Sequence, residues 1–169
     1  MQNLPVTVLM TVRNGEPYVE EAIQSILTQT YGDFKFLILD NASTDRTRDI
    51  IHSFGDARIE PVELDRDLGQ IGALNRGLSL IQSPYVARID ADDISHPSRL
   101  QKQMTFVEEH PQVGLVGTWY EAIDGTNQVV ARYSPPVDQN RLATLLFLDN
   151  PFAHSSVLFD RRVALACGG

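Results

Sequence analysis

Between residues 6 and 89, four short apolar and β-branched runs alternate with three helical stripes, and no other feature of the sequence narrows the fold as much. Val6 to Thr11, Phe34 to Leu39, Ile59 to Leu64 and Tyr85 to Ile89 read as strands. Their nearly continuous apolar character suits strands covered on both faces, as in a parallel sheet. Val19, Ala22, Ile23, Ile26 and Leu27 recur at the spacing of one buried helical stripe, with Pro17 placed for the first turn. A second helix buries Ile50, Ile51 and Phe54 after the capping residues Ser43, Thr44 and Asp45. A third, entered through Gly69 to Gly72, carries Leu74, Leu78 and Ile81. This alternation predicts parallel βαβ units and an α/β domain.

After Asp93 the pattern becomes mixed. Pro97 opens a predicted helix with Leu100, Met104 and Val107 on one face. Val113 to Ile123 and Val129 to Tyr133 flank an Asp124-Gly125 turn and read as a hairpin. Pro135-Pro136 precedes a helix near Asn140 to Leu148, then a strand at Ser155 to Phe159 and a short final helix ending at Gly168.

Composition excludes several classes. A net charge of −8 argues against nucleic acid as a partner, because counterion release needs clustered Lys and Arg. A divalent cation can still bridge an acidic protein to a nucleotide. Hydrophobic residues at 43% and charged residues at 21% predict a chain folded throughout. Cys167, the one cysteine, cannot form an internal disulfide and reads as a small buried hydrophobe in a reducing, cytoplasmic setting. Met1 to Met10 lacks the signature of a signal peptide, and no run of about 18 apolar residues predicts a transmembrane segment.

In open parallel sheets ligands bind beyond the carboxyl ends of the strands, so the residues following each apolar run matter most. Strand one ends in Thr11-Val12-Arg13-Asn14-Gly15-Glu16, strand two in Asp40-Asn41-Ala42-Ser43-Thr44-Asp45, and strand four in Asp90-Ala91-Asp92-Asp93. Neighbouring carboxylates repel by about 4 kcal/mol per pair at ~4 Å with an effective dielectric near 20. A hard cation such as Mg²⁺ or Mn²⁺ relieves that repulsion and takes oxygen ligands, whereas zinc would want Cys or His. The plainer reading of Asp90 to Asp93 is a solvated acidic turn ahead of the Pro97 helix. Asp40 and Asn41 are open to two readings as well, as hydrogen-bonding groups for the edge of a base or as ordinary turn residues.

Five blocks in order carry more than any one alone: Pro5 to Asn14, Ala22 to Tyr31, Asp40 to Asp45, Leu74 to Gly77, and Ile89 to Asp93 followed by Pro97 and Arg99-Leu100. Together they resemble family 2 glycosyltransferases of the GT-A fold over nearly the whole chain. The resemblance implies a nucleoside-diphosphate sugar bound along the first four strand ends, with UDP- or dTDP-sugars favoured. It places Thr11, Asn14 and Glu16 along the nucleotide pocket and Asp40 and Asn41 at the base, Asn41 standing where many relatives have a second acid. Asp90-Ala91-Asp92 matches the family's D-x-D motif, which implies Asp92 as ligand to Mn²⁺ or Mg²⁺, Asp90 toward the ribose, and Asp93 in support. Asn75 is implied as a helix and loop organiser, and Arg76 as solvent-facing.

Asn150 to Phe159 resembles the family's next block, with His154 either lining the acceptor side or serving structure. The resemblance implies inverting transfer to a saccharide or lipid-linked acceptor, with a catalytic base expected beyond Gly169. It divides a single domain, residues 1–169, into a nucleotide-binding half to about residue 95 and an acceptor-side half after it, in a chain read as cut short. A cytoplasmic place at the inner face of a membrane and a homodimer are compatible with this reading. The rivals fit less well. A nucleotidyltransferase wants a glycine-rich basic loop after strand one, and dinucleotide binding wants G-x-G-x-x-G there rather than at Gly69-Gln70-Ile71-Gly72. From a different class, the alternative is a catalytically silent nucleotide- or carbohydrate-binding or scaffold module, which sugar binding without metal-dependent nucleotide binding would favour.

Overall fold

The computed structural model describes residues 5–168. Four parallel strands form its core: β1 (Val6–Val12), β2 (Phe34–Asp40), β3 (Ile59–Glu63) and β4 (Tyr85–Asp90). They are linked by α1 (Val19–Leu27), α2 (Thr47–Ser53) and α3 (Gly69–Leu80). The second half supplies α4 (Arg99–Glu109), β5 (Leu115–Val116), the hairpin of β6 (Tyr120–Ile123) and β7 (Val129–Tyr133), α5 (Gln139–Leu145), β8 (Leu158–Asp160) and α6 (Arg161–Ala166). The main sheet has the order β3-β2-β1-β4-β8-β5, with β8 antiparallel to both its neighbours, and the hairpin forms a separate sheet. The α/β architecture predicted from the alternating runs is therefore present, with the expected mixed half after β4.

Alternation along β1 builds both layers. Val6, Val8, Met10 and Val12 point to one face and pack with Ile23, Ile26, Leu100 and Met104. Leu9 points to the other, where Leu37, Leu39 and Val86 meet Leu78 and Ile81 of the α3 layer. Each fully buried aliphatic side chain contributes roughly 1.5–3 kcal/mol relative to exposure. Gly77 lets α3 lie close to the sheet: a Cβ there would stand 2.5 Å from Leu9 Cδ1 and 3.2 Å from Leu39 Cδ1.

Several boundaries differ from the sequence expectation. The run Val113 to Ile123 is not one strand. It pairs in the main sheet only at β5, then passes Gly117, where a Cβ would lie 2.4 Å from Phe152 Cδ1, and leaves to begin the hairpin at Tyr120. The predicted helix to Leu148 ends at Leu145, because the Leu148 amide bonds the Leu145 carbonyl at 2.7 Å in a tighter turn. The strand predicted from Ser155 begins at Leu158; His154–Ser156 is a 3₁₀ turn in which the Ser156 amide and hydroxyl both donate to the Ala153 carbonyl. Pro17 and Pro97 precede α1 and α4 rather than entering their first turns. Cys167, expected in the interior, is exposed at the end of α6. Asn75 makes no side-chain hydrogen bond among the described residues, so the organising role falls elsewhere, while Arg76 is exposed as expected. Among the described residues no helix is long and apolar enough to cross a membrane.

The turn into β3 carries a pH-sensitive contact. Arg58 donates to Asp56 at 2.8 Å and to the Leu27 carbonyl at 3.0 Å, and its guanidinium lies 4.8 Å from the centre of the Phe34 ring. Hydrogen bonds from Arg58 lower the Asp56 pKa from 3.8 to about 2. A carboxylate whose folded-state pKa is depressed stabilises fully above its unfolded pKa and loses that contribution as pH falls through the folded value. The stability of the wild type is thus expected to fall more steeply between pH 4 and 2 than that of Asp56→Asn, measured by urea denaturation across that range. Parallel curves for the two proteins would show that this contact is not linked to folding.

Candidate functional site at the carboxyl edge of the sheet

β1 lies between β2 and β4, with Thr11 opposite Asp90 and Val12 opposite Asp40. Chain direction across the sheet reverses at β1, and a crevice opens at such a switch point. The three strand ends predicted to carry the chemistry therefore converge there.

The loop after β1 is stitched to the loop after β2. Asn14, with φ of 53°, donates its amide to Ser43 Oγ at 2.9 Å, while its side-chain oxygen accepts from the Thr44 amide at 2.8 Å. The Gly15 amide donates to Thr47 Oγ1 at 2.8 Å, and the Glu16 amide to Asp45 Oδ2 at 3.1 Å. Asp45 also accepts from the Thr47 amide at 3.0 Å, so the capping chemistry expected of Ser43 to Asp45 resides in Asp45. Glu16 in turn accepts from the Arg46 amide at 3.3 Å. Asn14 and Glu16 are occupied in holding these loops together at the site's rim.

Asp40 is buried at the end of β2, where its carboxylate accepts from the Ser43 amide and from Arg48 at 3.1 Å each. Next to it, Asn41 is satisfied on both sides of its amide. It donates to Asp67 at 2.7 Å and accepts from the Leu68 amide at 2.9 Å. Asp67 also binds the Gly69 amide at 2.8 Å and pairs with Arg13. The Gly69 amide, Arg13 and Asn41 together hold its carboxyl below the usual carboxylate range. Thr11, Val12, Arg13, Asn41, Asp67 and Gly69 wall a cleft of about 330 Å³.

At the end of β4, Arg88 is buried within the sheet and donates to Asp90 Oδ1 at 2.6 Å. Part of the carboxylate repulsion expected at this turn is thus relieved inside the chain. Ala91 faces Gly15, whose hypothetical Cβ would lie 3.8 Å away. Asp92 is exposed and has no hydrogen bond or ion pair among the described residues. Desolvation pushes the Asp93 carboxyl up, aided by the charges of Asp90 and Asp92 and opposed by the nearby Ser155 hydroxyl and Arg88. Burial and the Arg88 charge push the His154 imidazole down, against the opposing effect of Asp90, and the 3₁₀ turn that carries His154 packs against β4.

Among the described residues no group of three carboxylates or histidines gathers into a preformed cage for a metal. The free carboxylate of Asp92 does fit the mode in which Mg²⁺ or Mn²⁺ takes one or two protein oxygens and completes its shell with phosphates and water. Asp67, Arg48 and Arg88 lie outside the strand-end runs, and Arg13 lies within the first of them without an expected role. Asp67 lies in the loop that leaves β3, four residues past Glu63, so extending the strand-end rule into that loop reaches it. An arginine inside a buried strand, as at Arg88, signals a counter-charge nearby.

A family model described as glycosyl transferase family 2 matches residues 7–168. An uncharacterized glycosyltransferase of Methanocaldococcus jannaschii is 34% identical over 92% of this chain and 55% of its own length. The O-antigen biosynthesis glycosyltransferase WbnJ of Escherichia coli is 31% identical over 97% of the chain and 66% of its own. Among solved structures, S. aureus TarS 1–349 superposes with a TM-score of 0.77 at 19% identity, covering 96% of this chain and 48% of that one. The mannosyltransferase PcManGT from Pyrobaculum calidifontis, in complex with GDP-Man and Mn²⁺, gives 0.72 at 23% identity, covering 98% and 47%. The chain spans roughly half the length of the curated relatives it matches. With the α/β sheet, its switch-point crevice and a family match across nearly all of its residues, the chain belongs to glycosyl transferase family 2 and has the GT-A fold.

Proposed function

We propose that this chain binds a nucleoside-diphosphate sugar at the carboxyl edge of β1, β2 and β4 and serves inverting transfer of the sugar to a saccharide or lipid-linked acceptor. The observation that carries the reading is Asp92: an exposed carboxylate without an intramolecular partner, beside the switch-point crevice. TarS has been solved in complex with UDP-GlcNAc and PcManGT with GDP-Man and Mn²⁺, and both share this fold.

In this reading the cleft walled by Thr11, Asn41 and Asp67 receives the base, and Asp40 fixes the loop that shapes it. A uracil or thymine base is favoured. Asn14 and Glu16 keep the nucleotide side of the crevice in place through the contacts between loops. Asp90, oriented by Arg88, faces the ribose, while Ala91, packed close to Gly15, lines the path of the diphosphate. Asp92 holds Mn²⁺ or Mg²⁺, and the cation, when bound, offsets charge developing on the departing diphosphate. Asp93 and His154 support this turn from the acceptor side. The acceptor hydroxyl attacks the anomeric carbon from the face opposite the diphosphate, so the sugar's configuration inverts. Its proton passes to a general base distinct from the carboxylates of the β4 turn.

Calorimetric titration of UDP with Mn²⁺ and again with EDTA tests the reading. Binding that requires the metal supports it. If dTDP or GDP binds with metal and UDP does not, the base assignment fails alone; if no nucleotide binds the folded chain, the donor site is wrong.

A further inference from the structure

A second, larger cleft of about 960 Å³ lies between the β6–β7 hairpin and the start of α4. Asp93 and Ser155 border it, so one end adjoins the acidic turn at β4. Its hairpin wall is aromatic and held in place. Trp119 is 62% exposed, and its indole N–H donates to the Pro135 carbonyl at 3.0 Å, which fixes the plane of the ring. Tyr120 and Tyr133 stack with ring centres 4.6 Å apart. At the hairpin tip, the Asn127 amide donates to Glu21 of α1 at 3.1 Å.

The opposite wall is cationic, in a chain whose net charge is −8. Arg99 is 8% exposed and donates through Nη1 to the carbonyls of Arg88 and Ser155, each at 2.9 Å, but its Nε and Nη2 have no partner. No carboxylate stands within ion-pairing distance of it among the described residues; Asp93 acts on it only across a longer gap. Burial lowers its pKa to about 10, which leaves it charged at neutral pH. Lys102, one turn along α4, is exposed and also unpaired among the described residues. Arg132 across the cleft is neutralised by Glu121 at 2.7 Å. A buried charge without a counter-ion is costly, and an anion entering the cleft relieves it.

Resting on the donor-site reading above, we propose that this cleft binds the glycosyl acceptor and selects a saccharide bearing a carboxylate, such as a uronic acid. The aromatic wall offers flat apolar surface to the C–H face of a sugar ring, and a few placed polar groups set orientation. Lys102 and the field of Arg99 meet the carboxylate. An acceptor held there stands beside Asp93, next to the turn assigned to the donor.

The sequence has a single tryptophan, Trp119, so intrinsic fluorescence reports directly on this cleft. Methyl β-D-glucuronide is expected to give a saturable change, and methyl β-D-glucoside to bind at least about tenfold more weakly. Lys102→Gln, with an unchanged circular dichroism spectrum, is expected to reduce that preference to under about threefold. Equal binding of the two glycosides, displacement of the glucuronide by equimolar inorganic phosphate, or no change with either up to about 50 mM would each overturn the proposal. UDP titration with Mn²⁺ on the same sample separates the cases: nucleotide binding without glucuronide binding removes the acceptor inference alone, and loss of both removes the donor reading too.

Discussion

Asp92→Asn is expected to weaken manganese-dependent UDP binding by about a hundred-fold, or about 2.7 kcal/mol. Asparagine keeps the size of the side chain, so the turn after β4 loses charge and little else. Asp92 makes no hydrogen bond or ion pair among the described residues, and folding stability should therefore change by less than about 0.5 kcal/mol. The two neighbouring acids differ in this respect. Asp90 is tied to Arg88 at 2.6 Å, and Asp93 is partly desolvated beside Ser155. Asp93→Asn is accordingly expected to cost less binding than Asp92→Asn in the same calorimetric experiment. Equal losses at Asp92 and Asp93 would mean that the turn acts as a diffuse negative patch rather than through one metal-binding carboxylate.

Phe36→Ala is expected to have the largest effect on stability, about 3–5 kcal/mol. Phe36 has 0% exposure on β2 and belongs to the layer between the sheet and the α1 side. β2 is itself paired on both sides, by β1 and β3, so the cavity cannot close by moving a loop. Urea denaturation should show a lower midpoint with little change in slope. Phe147→Ala is the control, because Phe147 is 90% exposed and its removal should change stability by less than about 0.5 kcal/mol. A comparable loss at Phe147 would show that the region after α5 is packed against something other than solvent.

One local rule makes much of the sheet legible in the sequence. Buried parallel strands are apolar on both faces, and β1, β2 and β4 announce themselves in that way, each within a residue of its observed ends. The same rule located Thr11, Asp40 and Asp90 at the strand ends, and the register brings these residues together. What the sequence concealed depends on contacts far apart along the chain. Gly117 reads as one residue in a continuous apolar run, and only the approach of Phe152 explains why the strand breaks there. Asn41 is sufficiently polar to suggest a ligand contact, yet its amide is used by Asp67 and Leu68 from the loop after β3. Cys167 carries only the general tendency of free cysteine to be buried, and it stands exposed just past the end of α6. The cleft beside α4 left no local pattern, because its walls come from α4, the hairpin and the 3₁₀ turn at Ser155.

The central claim is that a nucleotide and a metal meet at the carboxyl edge of β1, β2 and β4. The most direct measurement is the ¹⁵N–¹H NMR spectrum of the assigned chain with UDP and Mg²⁺, compared with UDP and substoichiometric Mn²⁺, whose unpaired electrons broaden nearby amides. The account predicts that broadening is strongest at Ala91 to Asp93, extends to Thr11 to Gly15 and Asn41, and disappears in Asp92→Asn. Broadening centred on another surface, or spread evenly over the acidic residues of the chain, would contradict it.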